Sequence, residues 1–522
     1  MYTFSSKLKT FSLVLMVLGI LGIGYGFLTA PKTVQDVEKI LKAEEQEHGA
    51  GHGEKKDHVI KDDLQIDDPN KYVSGGDEHA AEVTVNPVGS QSDHMTHDGD
   101  STNIELVRGD QEAPAATTAP EKHAEAHSTV PTHDNLKGDA AHGDAHGGDA
   151  HADHQEHVKH VLHQLQNKPW AAFYVACIFF MLMSLGVLAF YAIQQVAQAG
   201  WSPVLFRVMQ GITAYLPVGS IIFFIFLILC GLHLNHLFIW MDADVVASDK
   251  LIQNKSGYLN FPFWIIRAAI FLIGWNLYRF YSRKNCLAQD EATDDRNYKK
   301  NFKISAGFLV FFIVTESIMS WDWIMSIDPH WFSTLFGWYV FASFLVSGIT
   351  VICMVTLYMK SKGYLEYVNT SHLHDLAKFM FGFSVFWTYL WFSQFMLIWY
   401  ANIPEEVTYY VTRIEHYNLP FFGAVVMNFV FPILILVNTD FKRITWVLVM
   451  AGVVILLGHY IDFFNMIMPS AVGDRWFIGA AEIGSVLFFL GLFIFVVFTA
   501  MTKSPLVPKR NPFIEESKHF HY

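Results

Sequence analysis

The sequence predicts an all-α integral membrane protein, and three observations carry that fold class. Of its 522 residues, 52% are hydrophobic and 15% aromatic while only 16% are charged, far from the usage of a soluble enzyme. Ten segments stay apolar over the roughly 20 residues that a bilayer-spanning helix needs. Lysines and arginines in the short connecting segments crowd one side of those ten segments.

Taken in order, the expected transmembrane helices cover about 8–29, 170–198, 215–240, 258–282, 303–327, 332–358, 376–402, 418–438, 443–467 and 479–501. Each must be helical, because hydrocarbon offers the backbone no hydrogen-bond partner. Lys7 and Lys9 precede the first apolar run, and no Ala-x-Ala-like site follows it, so residues 1–30 read as a retained transmembrane anchor. With the N-terminus inside, 18 lysines and arginines of the short segments lie on the cytoplasmic side and four, Lys250, Lys255, Arg413 and Arg475, lie opposite. That split predicts a multi-pass inner-membrane protein with both termini cytoplasmic.

Residues 31–168 form one long loop, periplasmic in this topology, that holds 16 of the 25 histidines. It carries 12 basic and 28 acidic residues and few large apolar ones, so it is expected to be disordered. The overall charge of -13 is set by this loop and says little about the rest. The expected partners are therefore the lipid bilayer and other protein subunits, with no nucleic acid. The loop's histidines fit metal buffering or a solvated acidic tether.

Cysteine usage removes several redox options. Cys177, Cys230, Cys286 and Cys353 stand alone, without the spacing of an iron–sulfur cluster or a c-type haem. Only His233, His236 and His459 fall within the expected spans, all toward their outer ends, which disfavours a bis-histidine haem. No haem, iron–sulfur cluster or metal is expected on this chain.

Polar residues inside apolar helices are costly and usually mark a route for protons, ions or substrate. The stretch Ser320 to Trp331 (SWDWIMSIDPHW) places Asp322 among tryptophans at the end of the fifth span, with Glu316 deeper. Six residues separate the two acids, about 120° around a helix, so they should not share one pocket. His233 and His236 are three apart, on one face of a helical third span, with Trp240 following. Arg267 lies on a polar stripe of the fourth span with Asn260, and a buried arginine wants a carboxylate or a polar ligand. Trp387, Trp391 and Gln394 form a stripe in the seventh span, while His459 and Asp462 sit three apart in the ninth.

Blander readings stand beside these. The histidine pair equally fits a structural pair held by neighbouring helices, and aromatics at helical spacing usually pack or form an interface belt. Asp328 and His330 equally fit a turn cap, since Asp-Pro favours turns. Arg267, Glu316, Asp322 and Asp462 are hardest to dismiss.

The stretches Ser320 to Ala342 (SWDWIMSIDPHWFSTLFGWYVFA) and Trp391 to Glu406 (WFSQFMLIWYANIPEE) resemble the second quinone-binding membrane subunit of the quinol:cytochrome c oxidoreductase alternative complex III, within the polysulfide-reductase-like (NrfD-like) membrane family. The resemblance covers the ten spans and leaves out the His-rich loop. It implies two four-helix bundles, residues 169–330 and 331–470, with two peripheral helices, the first anchor and the last span in 471–522. It also implies a quinol site at the outer end of one bundle. The implied partners are a homologous membrane subunit, an iron–sulfur subunit and multihaem cytochrome c subunits.

Quinol chemistry calls for such residue types on its own terms. Oxidation releases two electrons and two protons, so the hydroxyls need bases within hydrogen-bond reach, and histidine or a desolvated aspartate serves. The expected contacts to menaquinol or ubiquinol are Asp322, His233 and His236, with Arg267, Trp240 and Trp323 completing the pocket. Glu316, Gln394, His459 and Asp462 are the expected proton path. Two rivals remain: a quinone-free structural or proton-conducting anchor subunit, and an ion transporter suggested by the His-rich loop.

Overall fold

The computed structural model describes residues 2–49 and 147–521. Most of the His-rich segment, and with it the expectations of disorder and metal buffering, lies outside the described residues. Within them all regular structure is helical, and ten helices are long and apolar enough to cross a membrane. These are Ser6–Thr29, Val161–Val196, Pro203–Gly231, Phe261–Gln289, Arg296–Ile327, Phe336–Ser361, Thr370–Ala401, Asn418–Leu436, Thr445–Val472 and Ala480–Met501.

The edges of the expected loop 31–168 are themselves helical. Val34–Gly49 forms one helix, and the second span begins as an extension from Gly147. Val37, Val158 and Val161 bury one another there, which gives two otherwise polar helices a common apolar seam.

The third span departs most from expectation. It ends at Gly231, His233 takes a left-handed φ of 56°, and His233 and His236 lie in the turn beyond the helix instead of on one helical face. The apolar run 232–240 reads as helix, yet its backbone is satisfied otherwise. Asn167 donates to His236 O at 3.1 Å and accepts from His236 N at 3.0 Å, while Asn235 accepts from Leu237 N at 3.3 Å. Such side-chain bonds offer the chain an alternative to the helical ladder. At its other end the third span starts earlier than expected, at Pro203. Arg207, expected in a cytoplasmic loop, is buried with Nη2 2.5 Å from Asp290 and Nη1 2.9 Å from Gln210.

Packing follows from small residues and aromatic surfaces. The second span lies against the third, fifth, sixth, ninth and tenth, and 94% of its most apolar stretch is buried, which makes it the central helix. The fourth packs on the third and fifth, and the ninth on the sixth and eighth, while the seventh packs on the sixth and eighth. The first span runs along the tenth, where Gly22 and Gly484 face each other. A Cβ on Gly22 would come within 2.8 Å of Gly484 Cα, so the backbones touch as they do where small residues drive helix association in lipid. The eighth span carries a π-helical stretch, Val426–Val430, which turns the buried Asn428 amide toward the ninth span at Gly458.

Candidate functional site

The fourth span begins at a capped end: Asn260 Oδ1 accepts from Phe263 N at 3.0 Å and Pro262 supplies a pre-set φ in the first turn. One turn further, Trp264 and Arg267 share a face that meets the end of the fifth span. There the helix stops at Trp323, and Asp322, 0% exposed, is the meeting point. Arg267 Nε donates to Asp322 Oδ2 at 2.6 Å, and Nη2 to Oδ1 at 2.9 Å, the bidentate fork that a guanidinium makes with a carboxylate. Tyr258 OH donates to Oδ1 at 2.8 Å, and Trp264 Nε1 to the backbone oxygen of Asp322 at 2.8 Å. The Arg267 guanidinium also lies 4.0 Å over the Tyr258 ring.

Asp322 is thus the partner of Arg267, a carboxylate being one of the two kinds of partner the sequence left open, and Tyr258 and Trp264 were missed. Tyr258 opens the expected fourth span, where an aromatic residue reads as part of the interface belt, although the helix itself starts at Phe261; Trp264 is three residues before Arg267, a spacing that could have flagged it. Burial, followed by the negative charge of Asp322, pushes the Tyr258 hydroxyl far above its ordinary pKa, so it remains a donor at any physiological pH.

His233 and His236 are not hydrogen-bond partners of Asp322. His233 lines a pocket of about 270 Å3 with Trp240, Ile252, Ser256, Asn260 and Phe261. Trp240 is 3% exposed, its Nε1 has no acceptor among the described residues, and its ring meets Trp264 edge-on at 5.6 Å. Trp264, whose indole bonds Asp322 O, thus links the Trp240 wall of this pocket to the ion pair. His236 instead packs its ring against His163 at 5.2 Å and lies 3.9 Å from Asp242. Trp323 is 0% exposed and sits in the aromatic core against Phe223 at 4.7 Å and Trp275 at 5.9 Å, away from that pocket's lining.

Three loops close over this end. Asp249 caps the helix Lys250–Lys255, accepting from Leu251 N at 2.8 Å and Ile252 N at 3.2 Å, and its other oxygen lies 2.5 Å from His330 Nε2. The His330 hydrogen bond, then the two backbone amides, hold the Asp249 carboxyl below its ordinary pKa. Lys255 Nζ donates to Pro329 O at 2.5 Å, and burial lowers its pKa against the pull of Asp328 and Asp249. Asp328 also accepts from His330 N at 3.3 Å, so the turn-capping reading and a tethering role both hold. Trp331 stacks on Tyr409 of the surface helix Pro404–Glu415 at 4.0 Å, which ties in the loop after the seventh span.

Glu316 is separate from Asp322, as the 120° argument expects. It is 2% exposed; Oε1 accepts from Ser317 Oγ at 2.8 Å, and Oε2 has no partner among the described residues. A second acid cluster lies where the sixth, seventh and ninth spans meet. Asp462 accepts from Tyr339 OH, from Ser343 Oγ at 2.8 Å and from Trp387 Nε1 at 2.9 Å. Because the Ser343 proton goes to Asp462, its oxygen accepts from His459 Nδ1 at 3.0 Å, which assigns the Nδ1–H tautomer. His459 Nε2 is then a buried acceptor with no partner among the described residues. Gln394, 3% exposed, is two turns from Trp387 and bonds none of these groups. A comparison of the chain with protein-family models gives no match, and a comparison with curated proteins gives none either.

Proposed function

We propose that this chain is an integral membrane subunit of a respiratory quinol:cytochrome c oxidoreductase, and that quinol docks in the space bounded by His233, Trp240 and Asn260. The observation that carries the proposal is the 270 Å3 pocket itself, which joins an aromatic wall of Trp240 and Phe261 to the polar side chains of His233, Ser256 and Asn260. That volume is just under the usual range for small-molecule sites, and the wall is aromatic with few polar groups, as a quinol ring and isoprenoid tail require. His233 offers an imidazole for the first hydroxyl proton. The neighbouring Arg267 and Asp322, with Tyr258, fix the fourth and fifth spans beneath the pocket.

The pattern of helix contacts supports an arrangement in two four-helix bundles, spans two to five and six to nine, with the first and last spans beside them. Glu316 and the Asp462 cluster with His459 then supply buried groups able to hold protons within each bundle, and Gln394 adds an amide that a water could link. Two electrons leave each quinol with its two protons. This chain offers no cluster motif to take them, so an iron–sulfur or multihaem cytochrome subunit receives them. The inner bacterial membrane, with both termini cytoplasmic, is the setting that the charge asymmetry favours.

A quinone-free anchor is the second reading, and one observation favours it: three donors already saturate the Asp322 carboxylate, which leaves it little capacity as a base. Turnover of the intact complex separates the two. Trp240→Phe is expected to raise KM for quinol several-fold with the complex still assembled, and His233→Gln to slow quinol-dependent cytochrome reduction by roughly a hundredfold. Unchanged kinetics in both variants establishes the anchor.

A further inference from the structure

A groove of about 410 Å3 runs between the fourth and fifth spans at the end opposite Asp322. Its apolar length is made by Leu277, Tyr281, Ile304 and Phe311, and its floor by Tyr278 stacked on Phe308 at 3.9 Å. The surrounding helix surfaces are exposed and apolar, with Ile273 at 58% and Val310 at 70%, as befits a face turned to lipid. Lys300 lines the groove. Lys284 continues the stripe of Leu277 and Tyr281 on the fourth span, and Lys303 stands three residues from Lys300 on the fifth. All three are exposed, and none is in an ion pair among the described residues. One polar side chain is built into the groove wall: Asn285 is 6% exposed, and its Nδ2 has no acceptor among the described residues.

We infer that this groove holds one anionic phospholipid, with its phosphate among Lys284, Lys300 and Lys303 and an acyl chain along Ile304 and Phe311. The lipid's phosphate answers the unmet demand of the site, the positive charge of three lysines at the mouth of an apolar groove. A neutral quinone leaves the three lysines unanswered. An apolar helix of another subunit leaves the lysines unanswered as well.

The full chain, within its complex or as purified, is titrated with phosphatidylglycerol and with phosphatidylcholine in mild detergent, and bound lipid is counted by native mass spectrometry. One phosphatidylglycerol is expected to stay bound under conditions that strip phosphatidylcholine. Each lysine replaced by glutamine is expected to weaken it roughly fivefold, and the triple replacement on the order of a hundredfold. Ile304→Trp, which fills the groove from a half-exposed position and leaves every lysine in place, is expected to remove the bound lipid; Leu277→Trp does the same from the facing helix, should the first variant be poorly folded. Equal retention of phosphatidylcholine, retention of phosphatidylglycerol by the triple variant, or release of a quinone or a protein subunit in place of lipid by Ile304→Trp overturns the inference.

Discussion

Removing one partner of the Arg267–Asp322 pair strands a charge that water cannot reach, since the two residues are 7% and 0% exposed. Replacing Asp322 with leucine leaves the guanidinium with one backbone acceptor, Tyr258 O at 3.2 Å, and replacing Arg267 with methionine leaves the carboxylate with one donor, Tyr258. Breaking a buried pair in this way costs about 3–5 kcal/mol. The double replacement, Arg267→Met with Asp322→Leu, removes both charges and fills similar volume. What it still loses is the stacking of Arg267 on Tyr258 and Phe263, about 1 kcal/mol. At roughly 2 °C per kcal/mol for a chain of this size, each single variant should melt about 6–10 °C below the parent and the double within a few degrees of it. Thermal denaturation of all four proteins in one detergent reads this cycle. Single variants that melt like the parent, or a double that shows the sum of the two losses, refute the idea that the ion pair is desolvated and closed.

Gly484→Leu puts a side chain where the tenth span touches Gly22, so the first span should detach; intact packing of the two helices, measured by disulfide formation between cysteines placed on the first and tenth spans, would count against the close approach. The loop cap has a pH dependence of known sign. Asp249 has a lowered folded pKa, so its cap is present above the ordinary aspartate range near 3.9 and is lost as pH falls below it. Protection of the Leu251 and Ile252 amides from hydrogen exchange, relative to the intrinsic rate at each pH, should therefore fall as pH drops below the ordinary aspartate range, and Asp249→Asn should flatten the profile. The same profile in that variant would assign the protection elsewhere.

The spans were legible because lipid leaves the chain no choice but helix, and the signal accumulates over roughly 20 residues. Arg267 and Asp322 were legible singly for the opposite reason: each breaks an apolar run and so must be paired. Tyr258 was not legible, because a tyrosine at the outer end of an expected span reads as an interface aromatic and carries no energetic anomaly; only its meeting with Asp322 at the end of the fifth span gives it a role. The helix over 232–240 was misread because Asn167, some 70 residues away, satisfies the backbone that a helix would otherwise have to satisfy. Arg207 was read as a loop residue by its charge, whereas Asp290 buries it. Trp323 illustrates a limit of proximity in sequence: one residue from Asp322, it turns into the aromatic core.

The proposal of a quinol pocket in this chain is tested most directly by photolabelling the intact complex with an azidoquinone and mapping the modified peptides by mass spectrometry. Label in residues 231–261, competed by excess quinol and lost in Trp240→Phe, is the predicted result. Label confined to other subunits, or label in this chain that excess quinol does not compete, would contradict the assignment of a quinol site to this protein.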